Sequence, residues 1–435
     1  MKHMVRAAAA LLALILSLIL AACGGKAAAG TLQPAPPEPP KLPETPDAVS
    51  AGPSQFEPER AEVENNGGFF VRVGGDVWFR HYGGKTFDEP QLWGDFLSAW
   101  PSHGSASTLC RRSEADGTVT EALPDDGFGP LWFGTDGFYL TRVTDTGARE
   151  AYFKALDGAE TPLRKGVVAG VSDSGRYAAV QSDGGGEHHT ALYLYDGTRE
   201  LRSVLPGEHT YRECAALTDA GSLLYLCHDL TEKKLVSTLL QLDADGVETV
   251  LGTIFEPDSE LFLNLELEQC VLCGDEVCCV LAWYNGTGHF LSEALCVRAT
   301  LSMPDSLRMM EMPVWTDFPD VLPKLCPSET GGVTIVKNLP DSLAVAENSL
   351  FRFDASGESE LIAADLLKQS TSPDEECLTQ TVEAAGGGAY LMVMSARRSP
   401  DDDVGWRMAY APGELRYLRV PFDVEPQAET LFGDE

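Results

Sequence analysis

Basic residues are scarce in this chain: Lys and Arg number 32 against 66 Asp and Glu in 435 residues, a formal charge of -34. A surface so negative repels phosphates and anionic headgroups, which excludes nucleic acid as a partner and electrostatic adhesion as a route to membranes. The carboxylates read first as a solvated face that resists aggregation and second as an acidic recognition surface. Catalytic signatures are missing too. There is no Gly-x-Ser-x-Gly, no His-Glu-x-x-His, no P-loop and no dinucleotide fingerprint. "LDADG" at 242 begins like a calcium loop but lacks the later acidic ligands. The sequence therefore carries no sign of a cofactor or metal, and a binding module is expected ahead of an enzyme.

Long helical periodicity is also absent, and the one extended apolar run is short. Ala7 to Ala22 is apolar except for Ser17, and it follows Lys2 and Arg6. Sixteen helical residues span roughly 24 Å, less than the ~30 Å hydrocarbon core. That length suits a signal peptide better than a membrane-spanning helix. The run closes on Leu20-Ala21-Ala22-Cys23-Gly24-Gly25. This resembles the lipobox of bacterial lipoproteins, which implies cleavage before Cys23, thioether lipidation of its sulfur and acylation of the new N-terminus. An ordinary secretory signal with a chance cysteine is the alternative. Residues 1–22 are thus expected to be a signal peptide. Residues 23–56 follow as a lipidated cysteine and a disordered spacer, with eight prolines between Lys26 and Gln55 and almost no large apolar side chain. Proline-rich chain favours extended polyproline II, a semi-rigid stalk. The expected location is the extracytoplasmic face of a membrane in the cell envelope, with the lipid as anchor.

Beyond the spacer, short runs rich in β-branched and aromatic residues alternate with Gly and Asp turns, as in all-β chains. One turn recurs in "ADGTVTEAL", "LDGAETPL", "YDGTRELRSVL", "ADGVETVL", "ASGESELI" and "APGELRYL", with glycines at 117, 158, 197, 246, 357 and 413. The interval from 246 to 357 is about twice the others, and "SMPDSLRMMEM" around Asp305 fills the gap. A second series, "VGGDVWF", "GTDGFYL", "SDSGRYAAV", "TDAGSLLYL", "CGDEVCCVL", "TGGVTIV" and "AGGGAYLMV", begins near 73, 134, 172, 218, 273, 330 and 385. Each unit then holds four strands, A to D, with one series in the A–B turns and the other in the C–D turns. Seven four-stranded units of about 50 residues are the signature of a β-propeller. "VSDSGRYAAV" and "LTDAGSLLYL" also resemble the strand turns of TolB-type and WD-like propellers, over some ten residues per unit and without the Trp-Asp and Gly-His dipeptides. The expected fold is a seven-bladed β-propeller over residues 57–420, with eight blades the alternative. Residues 421–435 are left as an acidic tail or a closing segment.

Four of the 11 cysteines fall in "CVLCGDEVCC", 270 to 279. In this register the stretch is an A–B hairpin with Gly274-Asp275 at the turn, Leu272 facing Val277 and Cys270 facing Cys279. Side chains alternate faces along a strand, so Cys270 and Cys273 diverge and four-cysteine zinc coordination is disfavoured. Free buried thiols and a Cys270–Cys279 bridge both remain compatible with the register.

In a propeller the B–C and D–A connections share one face. The B–C segments are long here: 83–106 with Trp93, Phe96 and Trp100, "DGGGEHH" with His188 and His189, "NGTGHF" with His289, and "ARRSPDDDVG" with Arg397. The tryptophans are either a satellite core beneath their loop or an aromatic surface for a glycan or protein. His188-His189 reads as a solvated pair before a metal site. The expected function is a non-catalytic, monomeric binding or scaffolding module for a protein or glycan, with those seven residues as the candidate face. The alternative is a propeller enzyme, a glycosidase or lyase. Replacing Cys23 by Ala is expected to move the expressed protein from the detergent to the aqueous phase in a two-phase extraction, and retention in detergent would refute the lipid anchor.

Overall fold

The computed structural model describes residues 62–82, 91–92, 107–183, 190–205, 207, 210–229, 236–255, 263–285, 290–310, 324–326, 331–338, 347–353, 359–363, 375–385, 387–398, 409–422 and 429–432. Residues 1–56, where a signal peptide, a lipidated Cys23 and a spacer are expected, lie outside them. Among the described residues the chain is all-β, in seven antiparallel sheets of four or five strands that match propeller-type blades. Sheet 1 joins Val63–Glu64, Phe70–Val73, Asp76–His81, Ser107–Ser113 and Val119–Asp125. Sheet 2 runs Gly127–Phe133, Gly137–Val143, Arg149–Ala155 and Glu160–Lys165. Sheet 3 runs Val167–Val171, Tyr177–Asp183, Thr190–Asp196 and Arg199–Val204. Sheet 4 is Thr210–Leu217, Leu223–Asp229, Val236–Leu242 and Glu248–Phe255, and sheet 5 is Leu263–Cys273, Glu276–Asn285, Phe290–Thr300 and Arg308–Met310. Sheet 6 is Lys324–Cys326, Gly331–Asn338, Glu347–Phe353 and Ser359–Ala363. Sheet 7 is Glu375–Ala385, Gly388–Arg398, Ala409–Pro421 and Glu429–Phe432.

In sheets 2 to 5 burial falls from the second strand to the fourth. The second strands are apolar on both faces: Leu223, Leu224, Tyr225 and Leu226 are all buried, as is the run from Val277 to Ala282. A strand covered on both sides loses the polar alternation of a half-exposed one. The fourth strands are largely open to solvent, as in Glu160–Lys165 and Arg199–Val204. The cores lie between sheets. Val71, Trp78 and Leu109 of sheet 1 pack on Leu131, Phe138 and Tyr152 of sheet 2. Leu224, Leu226 and Leu251 of sheet 4 pack on Val277, Leu281 and Val297 of sheet 5. Phe70 and Phe79 of sheet 1 meet Tyr390 and Tyr417 of sheet 7. Each such side chain contributes about 1.5–3 kcal/mol of burial.

The turns follow the repeat. Turns of the second series separate the first long strand from the next in sheets 1, 2, 3, 4, 5 and 7; in sheet 6 Gly331-Gly332 belong to the strand Gly331–Asn338, and 327–330 lie outside the described residues. In the other series Asp305 takes φ 53 between Phe290–Thr300 and Arg308–Met310, so the turn inferred from spacing alone is present. The motif "APGELRYL" breaks the pattern. Ala411-Pro412-Gly413 lies inside the continuous strand Ala409–Pro421, where pairing with Gly388–Arg398 shifts register between Met394 and Ala396. Proline and glycine there mark a bulge, not a turn. The fourth strand of sheet 7 is Glu429–Phe432, paired with Tyr417–Arg419.

A second regularity was not visible in the spacing. In six sheets the last strand carries one extra residue opposite the strand before it, namely Ala122, Leu163, Leu201, Leu251, Ile362 or Leu431. A bulge of this kind raises the local twist.

Four residues join three sheets. Asn65 donates through Nδ2 to Glu383 Oε2 at 2.8 Å and to Phe70 O at 2.8 Å, and Phe70 N donates to the same carboxylate oxygen at 3.0 Å. Asn66 exchanges two bonds with the backbone of Phe133, at 2.6 and 3.0 Å. Gly67 N donates to Leu131 O at 2.8 Å, and Leu131 N to Gly68 O at 2.7 Å. Glycine is required at 67, where φ is +91° and a Cβ would sit 2.2 Å from the Trp132 ring. Asn65→Ala leaves the buried Glu383 carboxylate short of a donor and is expected to cost about 1–3 kcal/mol. Gly67→Ala adds a forbidden contact to about 1–2 kcal/mol of backbone strain. Both variants should lower the urea midpoint, whereas Gly158→Ala, in an open turn at φ +90, should show the backbone cost alone.

Candidate functional site

The first long strands of successive sheets lie against one another from sheet 1 through sheet 7, and Glu375–Ala385 of sheet 7 also contacts Phe70–Val73 of sheet 1. Between them is a cavity of about 220 Å³ walled by first-strand residues of sheets 1, 2, 3, 4, 5 and 7, together with the 65–68 segment. Bulges shape this wall. Register shifts at Val168/Gly170, Cys214/Ala216 and Leu267/Gln269 insert Ala169, Ala215 and Glu268 into three adjoining first strands. Gly170 allows sheets 3 and 4 to approach, since a Cβ there would stand 3.2 Å from Cys214 Sγ.

The wall is mixed, and its charged groups are of one sign. It carries Asp173, Glu268 and Glu383 with Asn65, Asn66, Gln269 and Trp132, and no Lys, Arg or His among the described lining residues. Glu383 and Asn66 are held by the bonds given above, so their geometry is fixed in advance. The Trp132 indole N–H is buried without an acceptor among the described residues.

Two buried networks lie behind the wall. In sheet 4, His228 Nδ1 is 2.8 Å from Ser237 Oγ, and its Nε2 is 3.5 Å from Glu213 Oε2. The ring stacks on Tyr211 at 4.1 Å and 10°, and Glu213 accepts from Leu267 N of sheet 5 at 3.3 Å. These are the residue types of a hydrolytic triad, but His228 and Ser237 are both 0% exposed. Both side chains are closed off from solvent, and through Glu213 and Leu267 the group ties two sheets.

The second network joins sheets 1 and 2. Arg80 Nε donates to Asp125 Oδ2 at 2.8 Å and Nη1 to Gly129 O at 2.6 Å, while Tyr152 OH donates to Asp125 Oδ1 at 2.5 Å. Arg80 and Asp125 are 2% and 6% exposed. Burial alone would push the Asp125 carboxyl up, but the Arg80 guanidinium and the Tyr152 hydroxyl outweigh it and hold it below the usual carboxylate range.

The 270–279 hairpin has the register read from the sequence. Cys270 pairs with Cys279 and Leu272 with Val277, and Gly274 turns at φ 63. Cys270 and Cys279 pack with the sheet 4 core, whereas Cys278 clusters with Val280 and Cys296 on the other side and accepts from Arg298 Nε at 3.1 Å. The described cysteines are free thiols. Among the described residues no three His, Cys, Asp or Glu side chains are grouped to hold a metal, and no helix is long and apolar enough to cross a membrane.

Of the residues singled out in the sequence, Cys23, Trp93, Phe96, Trp100, His188, His189 and His289 lie outside the described residues. Arg397 lies in Gly388–Arg398, with its backbone opposite Glu375 and Ala411. From the 83–106 segment, Gln91–Leu92 pairs with Ala409 and Tyr410 of sheet 7. The cavity residues Asn66, Trp132, Glu268, Gln269 and Glu383 were missed. Only their common place on first strands could have flagged them, and their chemistry does not repeat from unit to unit.

No family model matches the sequence, and no curated protein does. Among solved structures the chain is similar to the β-propeller domain of the Trilobed protease from Pyrococcus furiosus, described as having an open velcro topology. Identity there is 8% and the TM-score 0.48, over 86% of this chain and 99% of that one. It is also similar to TolB from Acinetobacter baumannii, at 12% identity and TM-score 0.35 over 59% of each chain. Prolyl oligopeptidase B from Galerina marginata gives 11% identity and TM-score 0.45, and the chain covers 49% of its length. At these values no substrate, partner or activity carries over.

The Asp125 network sets a pH test. A depressed carboxyl contributes stability that is complete above its unfolded pKa of about 3.9 and is lost as pH falls through the folded value. The urea midpoint should therefore drop as pH falls below about 4. Asp125→Ala should cost about 3–5 kcal/mol at neutral pH, because it strands the buried Arg80, and should flatten that acid dependence.

Proposed function

We propose that the chain is a lipid-anchored protein of the cell envelope whose seven sheets close into a β-propeller, a non-catalytic binding or scaffolding module for a protein or glycan. Support for closure comes from the contacts of successive first strands, including those of sheet 7 with sheet 1. Anchoring through Cys23 rests on Leu20-Ala21-Ala22-Cys23 behind a short apolar run. The observation that carries the binding role is the cavity itself, ringed by six sheets and carrying polar groups of which Asn65, Asn66 and Glu383 are held in place. Among the described residues the one Ser–His–Glu network is sealed from it.

The cavity of about 220 Å³ is below the ~300 Å³ of a typical small-molecule pocket. It therefore takes the tip of a partner, one sugar ring or one side chain. Carboxylates, amides and an indole N–H without basic residues favour a neutral or cationic tip over an anionic one.

Calorimetric titration with neutral oligosaccharides and with lysine- or arginine-bearing peptides tests this reading against Gln269→Ala and Trp132→Phe. Each variant is expected to weaken binding about tenfold, or ~1.4 kcal/mol. Binding kept in both variants but lost in the Trp93→Ala/Trp100→Ala pair would place the site on the 83–106 segment. Turnover of a titrated glycan would make the protein an enzyme.

A further inference from the structure

The Cys270 and Cys279 sulfurs are 3.3 Å apart on directly opposed residues of one hairpin. Opposed residues of an antiparallel pair have Cα atoms about 4.5–5.5 Å apart, inside the range a disulfide spans without backbone movement. The two thiols differ in access. Cys270 is partly exposed and lines the cavity, whereas Cys279 is 1% exposed and sits behind it on the next strand. We propose that this pair is a thiol–disulfide exchange site opening onto the cavity, with Cys270 taking the incoming sulfur, Cys279 resolving it, and small disulfides of low-molecular-weight thiols as the substrate class.

The exchange balances in two steps. The Cys270 thiolate attacks one sulfur of the small disulfide, forming a mixed disulfide and releasing one thiolate, which takes up a proton. Cys279 then gives up its proton and attacks Cys270 Sγ, closing the protein bridge and expelling the second small thiolate. Two protein thiols are oxidised and one small disulfide is reduced to two thiols. Closure draws the sulfurs from 3.3 Å to about 2.05 Å. A partly accessible attacking thiol with a resolving thiol beside it is the arrangement such chemistry uses.

The surroundings make the step selective and slow. Contact with Cys279, together with burial, holds the Cys270 thiol well above its ordinary pKa. Cys214, which lines the cavity from the neighbouring first strand, is pushed up to about 12 by burial. Cys278 and Cys296 lie on the opposite face of the hairpin, in a separate cluster. Since the thiolate is the nucleophile, the rate should rise about tenfold per pH unit between roughly 7 and 9.

Incubating the folded, reduced protein with hydroxyethyl disulfide and mapping peptides without reduction tests the site. The expected result is loss of two hydrogens and a single cross-link between Cys270 and Cys279. Cys279→Ser should instead accumulate one hydroxyethylthio adduct on Cys270. In Cys270→Ser, Cys279 should stay unmodified until urea is added. An unreactive wild-type protein, a cross-link to Cys214, or first modification at Cys273 or Cys278 would overturn the assignment, and the wild-type map alone is decisive if either variant fails to fold.

Discussion

A side-chain amide at residue 65 and a carboxylate at residue 383 meet at 2.8 Å across 318 residues of chain. Apart from Gln91–Leu92, which pairs with sheet 7, each sheet is built from strands that follow one another in the chain, so backbone pairing acts mainly within a sheet. Cohesion between neighbours falls to packed side chains and to a few polar contacts. At the junction of first and last sheets those are Glu383 with Asn65, Arg112 with Glu429 at 3.2 Å, and the Tyr82 N–H on the Tyr417 hydroxyl at 3.2 Å. The Phe70, Phe79, Tyr390 and Tyr417 rings fill the space between, with centroids 5.2–6.4 Å apart. Asn66 and the two glycines extend the same segment to sheet 2, so a stretch of four residues fixes how three sheets meet.

The buried networks have the same task elsewhere. Apolar faces slide over one another at little cost, because dispersion and burial are not directional. Arg80 with Asp125 and Tyr152, and Glu213 with His228 and Leu267, fix one relative position of their sheets. A desolvated ion pair adds little net stability, but removing one partner is severe. Such contacts therefore set alignment more than strength.

Much of the architecture was legible because turn chemistry is local. Gly-containing turns need positive φ, and the gap in their series pointed to Asp305, which adopts it. The same logic misplaced the turn of the last sheet, since Pro412-Gly413 looks alike in a turn and in a bulge. Strand order within the 270–279 hairpin was readable from its two-residue turn. The cavity was not. Asn66, Trp132, Glu268 and Glu383 come from four sheets, and which first-strand residues face inward depends on bulges such as that between Leu267 and Gln269. A one-residue insertion reverses the facing of everything after it, and no residue type announces it.

The extra residue in six of the last strands bears on how such molecules behave when crowded. These strands end their sheets, and each offers a row of backbone donors and acceptors to any passing chain. One surplus residue throws the row out of step, so a second copy finds no continuous ladder to extend. With a net charge of -34 adding mutual repulsion, many copies can share a small area without growing into fibrils.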